Sequence, residues 1–145
     1  MSLQICENEA ILDGVRVLYV EDDDDTRAIT VLLLEMSGAI VVAVASVTEA
    51  VSALEREQPD VLISDGGMPG RDGWGLIKQV RTWSQARGGR IPAIAVTGCA
   101  LDDDIAHSLL AGFDVHLSKP IDMDELVRVI ARLVRHVGTS NGATA

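Results

Sequence analysis

Val15-Arg16-Val17-Leu18-Tyr19-Val20-Glu21-Asp22-Asp23-Asp24-Asp25 runs from a β-type apolar segment straight into five acids. A nearly unbroken run of Val, Leu and Tyr is how a central parallel strand reads, because both of its faces are covered. The next stretch, Asp24 to Ser37, changes to helical spacing. Ile29, Leu32, Leu33 and Met36 share one stripe, which predicts the inward face, and Gly38 is the stop.

The same alternation repeats downstream. Ile40 to Val44 reads as a second strand, and Ser46 with Glu49 three residues on forms a capping box for a helix that turns Val47, Val51 and Leu54 inward. Pro59 ends that helix, since it cannot donate a hydrogen bond and its predecessor resists the helical region. Val61 to Ser64 is a third strand, followed by a turn-rich loop and a helix over about Trp74 to Trp83, with Leu76, Ile77 and Val80 inward. Ala93–Val96 and Asp114–Ser118 read as the last two strands, Leu101–Ala111 and Asp122–His136 as the last two helices. Five strand–helix repeats predict an α/β fold, a doubly wound parallel sheet with helices on both faces.

The chain has 145 residues, enough for one domain with a sizeable core. The reading assigns 1–12 to a linker, 13–137 to the domain, and the Gly, Ser, Thr and Asn of 138–145 to a flexible tail. Twelve Lys and Arg against 22 Asp and Glu give a net charge of −10, which argues against nucleic acid as a direct partner. Cys6 and Cys99 have no metal-ligand spacing and imply no disulfide framework. The apolar runs are too short to span a membrane, and no signal peptide is evident, so the expected location is the cytoplasm.

In a parallel α/β sheet the carboxyl ends of the strands form one rim, where ligands bind. Glu21 and Asp22, Asp65, Thr97, and Lys119 with Pro120 each close a predicted strand, so the fold would gather them there. Acids favour a helix start, which explains Asp23, Asp24 and Asp25. Glu21 and Asp22 end a buried strand instead, and packing them beside Asp65 is costly unless a cation binds among them. Mg2+ suits such oxygen ligands, and the Gly67 carbonyl can reach the metal. With metal and ammonium offsetting its charge, the Asp65 carboxylate can attack phosphorus. Lys119 supplies a positive charge and Thr97 a hydroxyl for the phosphoryl oxygens. Lys119-Pro120 also suits a cis peptide.

These residues resemble the receiver domain of bacterial two-component response regulators, over Val15 to about Val137. Val17-Leu18-Tyr19-Val20-Glu21-Asp22-Asp23 is similar to the family's first strand and acidic pair, with Glu replacing the commoner first Asp. Pro59 through Gly73 resembles the phosphoacceptor strand and loop, Thr97-Gly98 the switch hydroxyl and its small neighbour, and Leu117-Ser118-Lys119-Pro120 the lysine motif. The resemblance implies sheet order 2-1-3-4-5, as in flavodoxin-like folds. It implies that Asp65 takes phosphate from a sensor histidine kinase or a histidine phosphotransfer domain, with Mg2+ on Glu21, Asp22, Asp65 and the Gly67 carbonyl. It also implies signalling to a downstream protein through the face of the fourth helix, fifth strand and last helix. The wording of 13–18 and 88–92 is similar to receivers of hybrid histidine kinases.

Two positions depart from the pattern. The family's switch aromatic, three residues before the lysine, is His116 here, which implies a weak or pH-sensitive switch. Two residues after Asp65 and Thr97, where the family places side chains that orient the hydrolytic water, stand Gly67 and Cys99. Slow loss of phosphate is the expectation. Two other chemistries fit the same sheet: an aspartate-nucleophile phosphatase, which wants an acid where Gly67 stands, and a flavodoxin-like cofactor binder, which wants a phosphate-cradling loop where Glu21–Asp25 stand.

Overall fold

A computed structural model describes residues 11–65, 72–86, 90–98 and 112–144, with 65, 72–75, 85, 86 and 135–144 described by their backbone only. The strands are β1 (Arg16–Val20), β2 (Ile40–Val44), β3 (Val61–Asp65), β4 (Ala93–Thr97) and β5 (Val115–Ser118). The helices are α1 (Asp24–Met36), α2 (Val47–Glu57), α3 (Asp72–Ala86) and α4 (Met123–Thr144). The strands form one parallel sheet in the order β2-β1-β3-β4-β5, as the resemblance implied. The predicted helix over 101–111 lies outside the described residues.

Period-2 alternation divides the strand side chains between two cores. Val17, Tyr19, Val61, Ile63, Ile94, Val96 and Leu117 face α1 and α4, packing on Leu34, Leu126 and Ile130. Leu18, Val20, Leu62 and Ala95 face α2 and α3, packing on Ala50, Leu54, Leu76, Ile77 and Val80. Burying one such Leu or Ile side chain contributes about 1.5–3 kcal/mol. The inward positions predicted for α2 and α3 therefore hold.

The α1 stripe does not. Ile29, Leu32 and Met36 are 60%, 58% and 49% exposed, while Thr30 and Leu34 are buried. Thr30 and Leu34, with Val31 beside them, form the inward stripe instead, and Thr30 Oγ1 lies 3.5 Å from the Tyr19 hydroxyl. Two ends also differ. Leu12, read as linker, is fully buried in the α1–α4 core, and its N–H donates to Ser37 O at 2.8 Å. Helix α4 continues to Thr144, past His136, and through the segment read as a flexible tail. No proline interrupts that stretch, and its glycines weaken a helix without forbidding it.

Helix boundaries follow local chemistry. Asp23 caps α1, accepting from Thr26 N at 2.8 Å, and Arg27 pairs with Asp24 at 2.6 Å. Gly38, at φ 97°, lets the chain turn out of α1, a conformation that costs glycine nothing. Ser46 Oγ accepts from Glu49 N at 3.2 Å while Glu49 Oε2 accepts from Ala45 N at 3.1 Å, completing the predicted box one residue early.

Candidate functional site

Register brings the expected residues to one rim. Val20 pairs with Ser64, so Glu21 and Asp65 follow on neighbouring strand ends. Asp65 pairs with Val96 and Thr97 with Ser118, which places Thr97 and Lys119 beside them. The Lys119 N–H donates to Thr97 O at 2.8 Å, and the Lys119–Pro120 peptide is cis, as the sequence suggests. Asp65 and Thr97 are themselves the last strand residues, not the first beyond the strands.

Glu21 is 1% exposed, which for a carboxylate demands partners. Its Oε1 accepts from the Tyr19 hydroxyl at 3.3 Å and lies 3.5 Å from Lys119 Nζ, and its Oε2 accepts from Asp23 N at 3.3 Å. Arg27 donates to the Glu21 carbonyl at 2.9 Å. Asp22 is exposed beside it. Asp23 has a carboxyl held below its usual value by the hydrogen bonds from the Thr26 side chain and backbone, as suits a helix cap. Tyr19, Thr30 and Arg27 were not read as site residues from the sequence. A tyrosine in mid-strand was the available signal, since a buried phenol seeks a partner.

Thr97 Oγ1 and His116 Nε2 are hydrogen-bonded at 2.7 Å. Sequence reasoning paired these two only through a resemblance, and the structure puts them in contact. Beside Lys119 a cavity of about 620 Å3 opens between α1 and the segment after β5, lined by Ile29, Leu33, Pro120 and Met123 among others. Among the described residues no three His, Cys, Asp or Glu side chains gather as a metal cluster. Gly67, Cys99 and the Asp65 side chain lie outside the described residues. The donor set fits a hard cation even so: a buried and an exposed carboxylate adjoin the end of the strand that carries a third.

The response regulator receiver domain family matches residues 17–131. A protein from Leptolyngbya boryana, described as an uncharacterized 14.6 kDa protein in the sodA1 3' region, is 44% identical over 114 residues, covering 79% of this chain and 86% of its own. The sensor protein GacS of Pseudomonas syringae pv. syringae is 35% identical over 118 residues, covering 81% of this chain; the chain spans 13% of its length, and 53% of the Streptomyces coelicolor transcriptional regulatory protein CseB, at 33% identity and 90% coverage of this chain. Among solved structures, the receiver domain of sensor histidine kinase PA1611 from Pseudomonas aeruginosa, with a magnesium ion in its active site cleft, is similar at TM-score 0.74 and 32% identity, covering 83% of this chain and 98% of its own. No helix of the described residues is long and apolar enough to cross a membrane. The family match decides among the chemistries read from the sequence, against the phosphatase and the flavodoxin-like binder: this chain belongs to the response regulator receiver domain family, the signalling switches of two-component systems.

Proposed function

We propose that Asp65 accepts a phosphoryl group from the phosphohistidine of a sensor kinase or a histidine phosphotransfer domain, and that Glu21, Asp22, Asp65 and the Gly67 carbonyl hold Mg2+. The observation that carries this reading is the Lys119–Glu21 pair, 3.5 Å apart on the rim where β3 ends at Asp65. A buried carboxylate, an ammonium and a strand-end aspartate at one edge have no packing purpose. Bound Mg2+ would neutralise charge on the phosphoryl oxygens.

The chain's own groups divide the remaining work. Asp65 supplies the attacking oxygen. Lys119 offers an ammonium to a phosphoryl oxygen, and the Thr97 hydroxyl donates to another; phosphoryl transfer depends mainly on such positioning and charge stabilisation. Glu21 holds the ammonium at the rim, while Tyr19 and the Asp23 N–H hold Glu21. The rearrangement passes from Thr97 to His116. The chain's own catalysis is limited to this transfer and to slow dephosphorylation. It acts in the cytoplasm and signals through protein contacts at the 101–111, β5 and α4 face, with no nucleic acid bound directly, consistent with a net charge of −10.

The test is labelling with acetyl phosphate. Wild type labels in the presence of Mg2+ and not after chelation, and Asp65→Asn does not label. Equal labelling of the two proteins overturns the assignment.

A further inference from the structure

Side chains two residues apart on a strand share a face. The Glu21 N–H donates to Val44 O at 3.0 Å, which continues the ladder one residue past β1 and sets Glu21 on the side of Tyr19. Both side chains are 1% exposed, and Tyr19 belongs to the core beneath α1 and α4. The two oxygens of Glu21 are held from opposite sides. Oε1 reaches back to the Tyr19 hydroxyl at 3.3 Å, and Oε2 reaches forward to the Asp23 N–H at 3.3 Å, past the end of β1. Thr30 Oγ1 lies 3.5 Å from the same hydroxyl and completes a buried polar group of three side chains. Glutamate carries one rotatable bond more than aspartate, so an acid of this length needs a grip to keep one orientation. Lys119 also meets Oε1, at 3.5 Å, but the proposed reaction turns that ammonium to the phosphoryl group. No step of that reaction calls on the phenol.

We infer that Tyr19 is a positioning residue that sets metal specificity: by holding Glu21 Oε1 toward the core, it offers a cation Oε2 and favours Mg2+ over Ca2+. This rests on the proposed metal site. Mg2+ is small and demands near-ideal octahedral geometry, which a single oxygen from each acid satisfies. Ca2+ accepts more oxygens in looser geometry, often both from one carboxylate. A Glu21 carboxylate tied back at Oε1 cannot close on an ion with both oxygens. Released from the phenol, it can turn about its extra bond and do so. Tyr19→Phe keeps the ring in the core and removes only the tether.

The test is calorimetric titration of the full, unphosphorylated chain with Mg2+ and, separately, with Ca2+. In Tyr19→Phe the Mg2+ affinity falls by about 10-fold, the scale for losing a group that orients a metal ligand, while Ca2+ affinity holds or rises. In the Glu21→Asp background, whose shorter acid does not reach the phenol, adding Tyr19→Phe leaves the ratio of the two affinities unchanged. A carbon-13 spectrum of wild type needs no substitution, because the chain has 1 tyrosine. The ring carbon bearing its hydroxyl shifts when Mg2+ draws charge from Glu21. Equal weakening toward both ions in Tyr19→Phe marks a purely structural loss and overturns the inference. So does an unaltered Mg2+ affinity, an equal change of the ratio in both backgrounds, or an unmoved Tyr19 carbon at saturating Mg2+. Absence of Mg2+ binding in wild type overturns the metal site itself, and the inference with it.

Discussion

Lys119 Nζ stands 3.5 Å from Glu21 Oε1, so the ends of β5 and β1 are tied across the edge where β3 and β4 finish between them. The carboxylate is buried and the lysine side chain 32% exposed, so the pair lies at the border between core and surface. An ion pair of this kind sets where the charge sits more than it stabilises the fold.

Lys119→Met therefore separates positioning from folding. It is expected to slow acetyl phosphate labelling of Asp65 by about 100-fold, the usual cost of losing one electrostatic donor in a reacting site. Initial labelling rates at saturating Mg2+ measure it, with a urea melt as the check on folding. A rate within a few-fold of wild type contradicts the role given to the ammonium.

Asp114 predicts how stability depends on acid. Burial pushes its carboxyl pKa up, but the hydrogen bonds from Arg90 and the Ala93 N–H, with the charges of Arg81 and Arg90, bring it below the usual value. A lowered carboxyl binds fewer protons in the folded state, so its contribution is complete above the unfolded value of about 3.9 and is lost as pH falls through the folded pKa. Urea midpoints should fall below about pH 4. Asp114→Asn should cost about 1–3 kcal/mol at neutral pH and flatten that acid limb.

The outward register of α1 is checked by a pair of substitutions. Leu34→Ala should cost about 2–5 kcal/mol, as for a fully buried leucine. Leu32→Lys, on the exposed stripe, should change stability by no more than about 0.5 kcal/mol. Equal penalties at the two positions would restore the sequence-based orientation.

Phosphate lifetime follows from Gly67 and Cys99, neither of which offers water a strong hydrogen bond. Phospho-Asp65 in Mg2+ buffer should outlast a half-life of one minute, a barrier above about 20 kcal/mol. Decay of labelled protein over time gives the value, and faster loss contradicts the expectation.

The parallel α/β class, the inward faces of α2 and α3, and the gathering of Glu21, Thr97 and Lys119 were legible because they follow from alternation and from strand ends, whereas strand order came only with the family resemblance. The register of α1 was not legible. Its helical period supports two stripes, one through Ile29, Leu32 and Met36 and one through Thr30, Val31 and Leu34, and only packing against the sheet and α4 selects the second. Leu12 escaped for a similar reason, since a lone leucine before a Gly turn has no period to betray it. The Thr97–His116 bond was equally silent in sequence, being a matter of side-chain direction.

Far from the rim, the Arg81 guanidinium on α3 donates to the Gly112 carbonyl, to Ile91 O and to Asp114, and so touches the approaches to both β4 and β5. Burial pulls its pKa down, yet Asp114 opposes that and keeps the cation in place. Ile91 and Gly112, 21 residues apart in the chain, thus share one anchor. Removing the Arg81 side chain should accordingly loosen the starts of β4 and β5 together, not one of them alone.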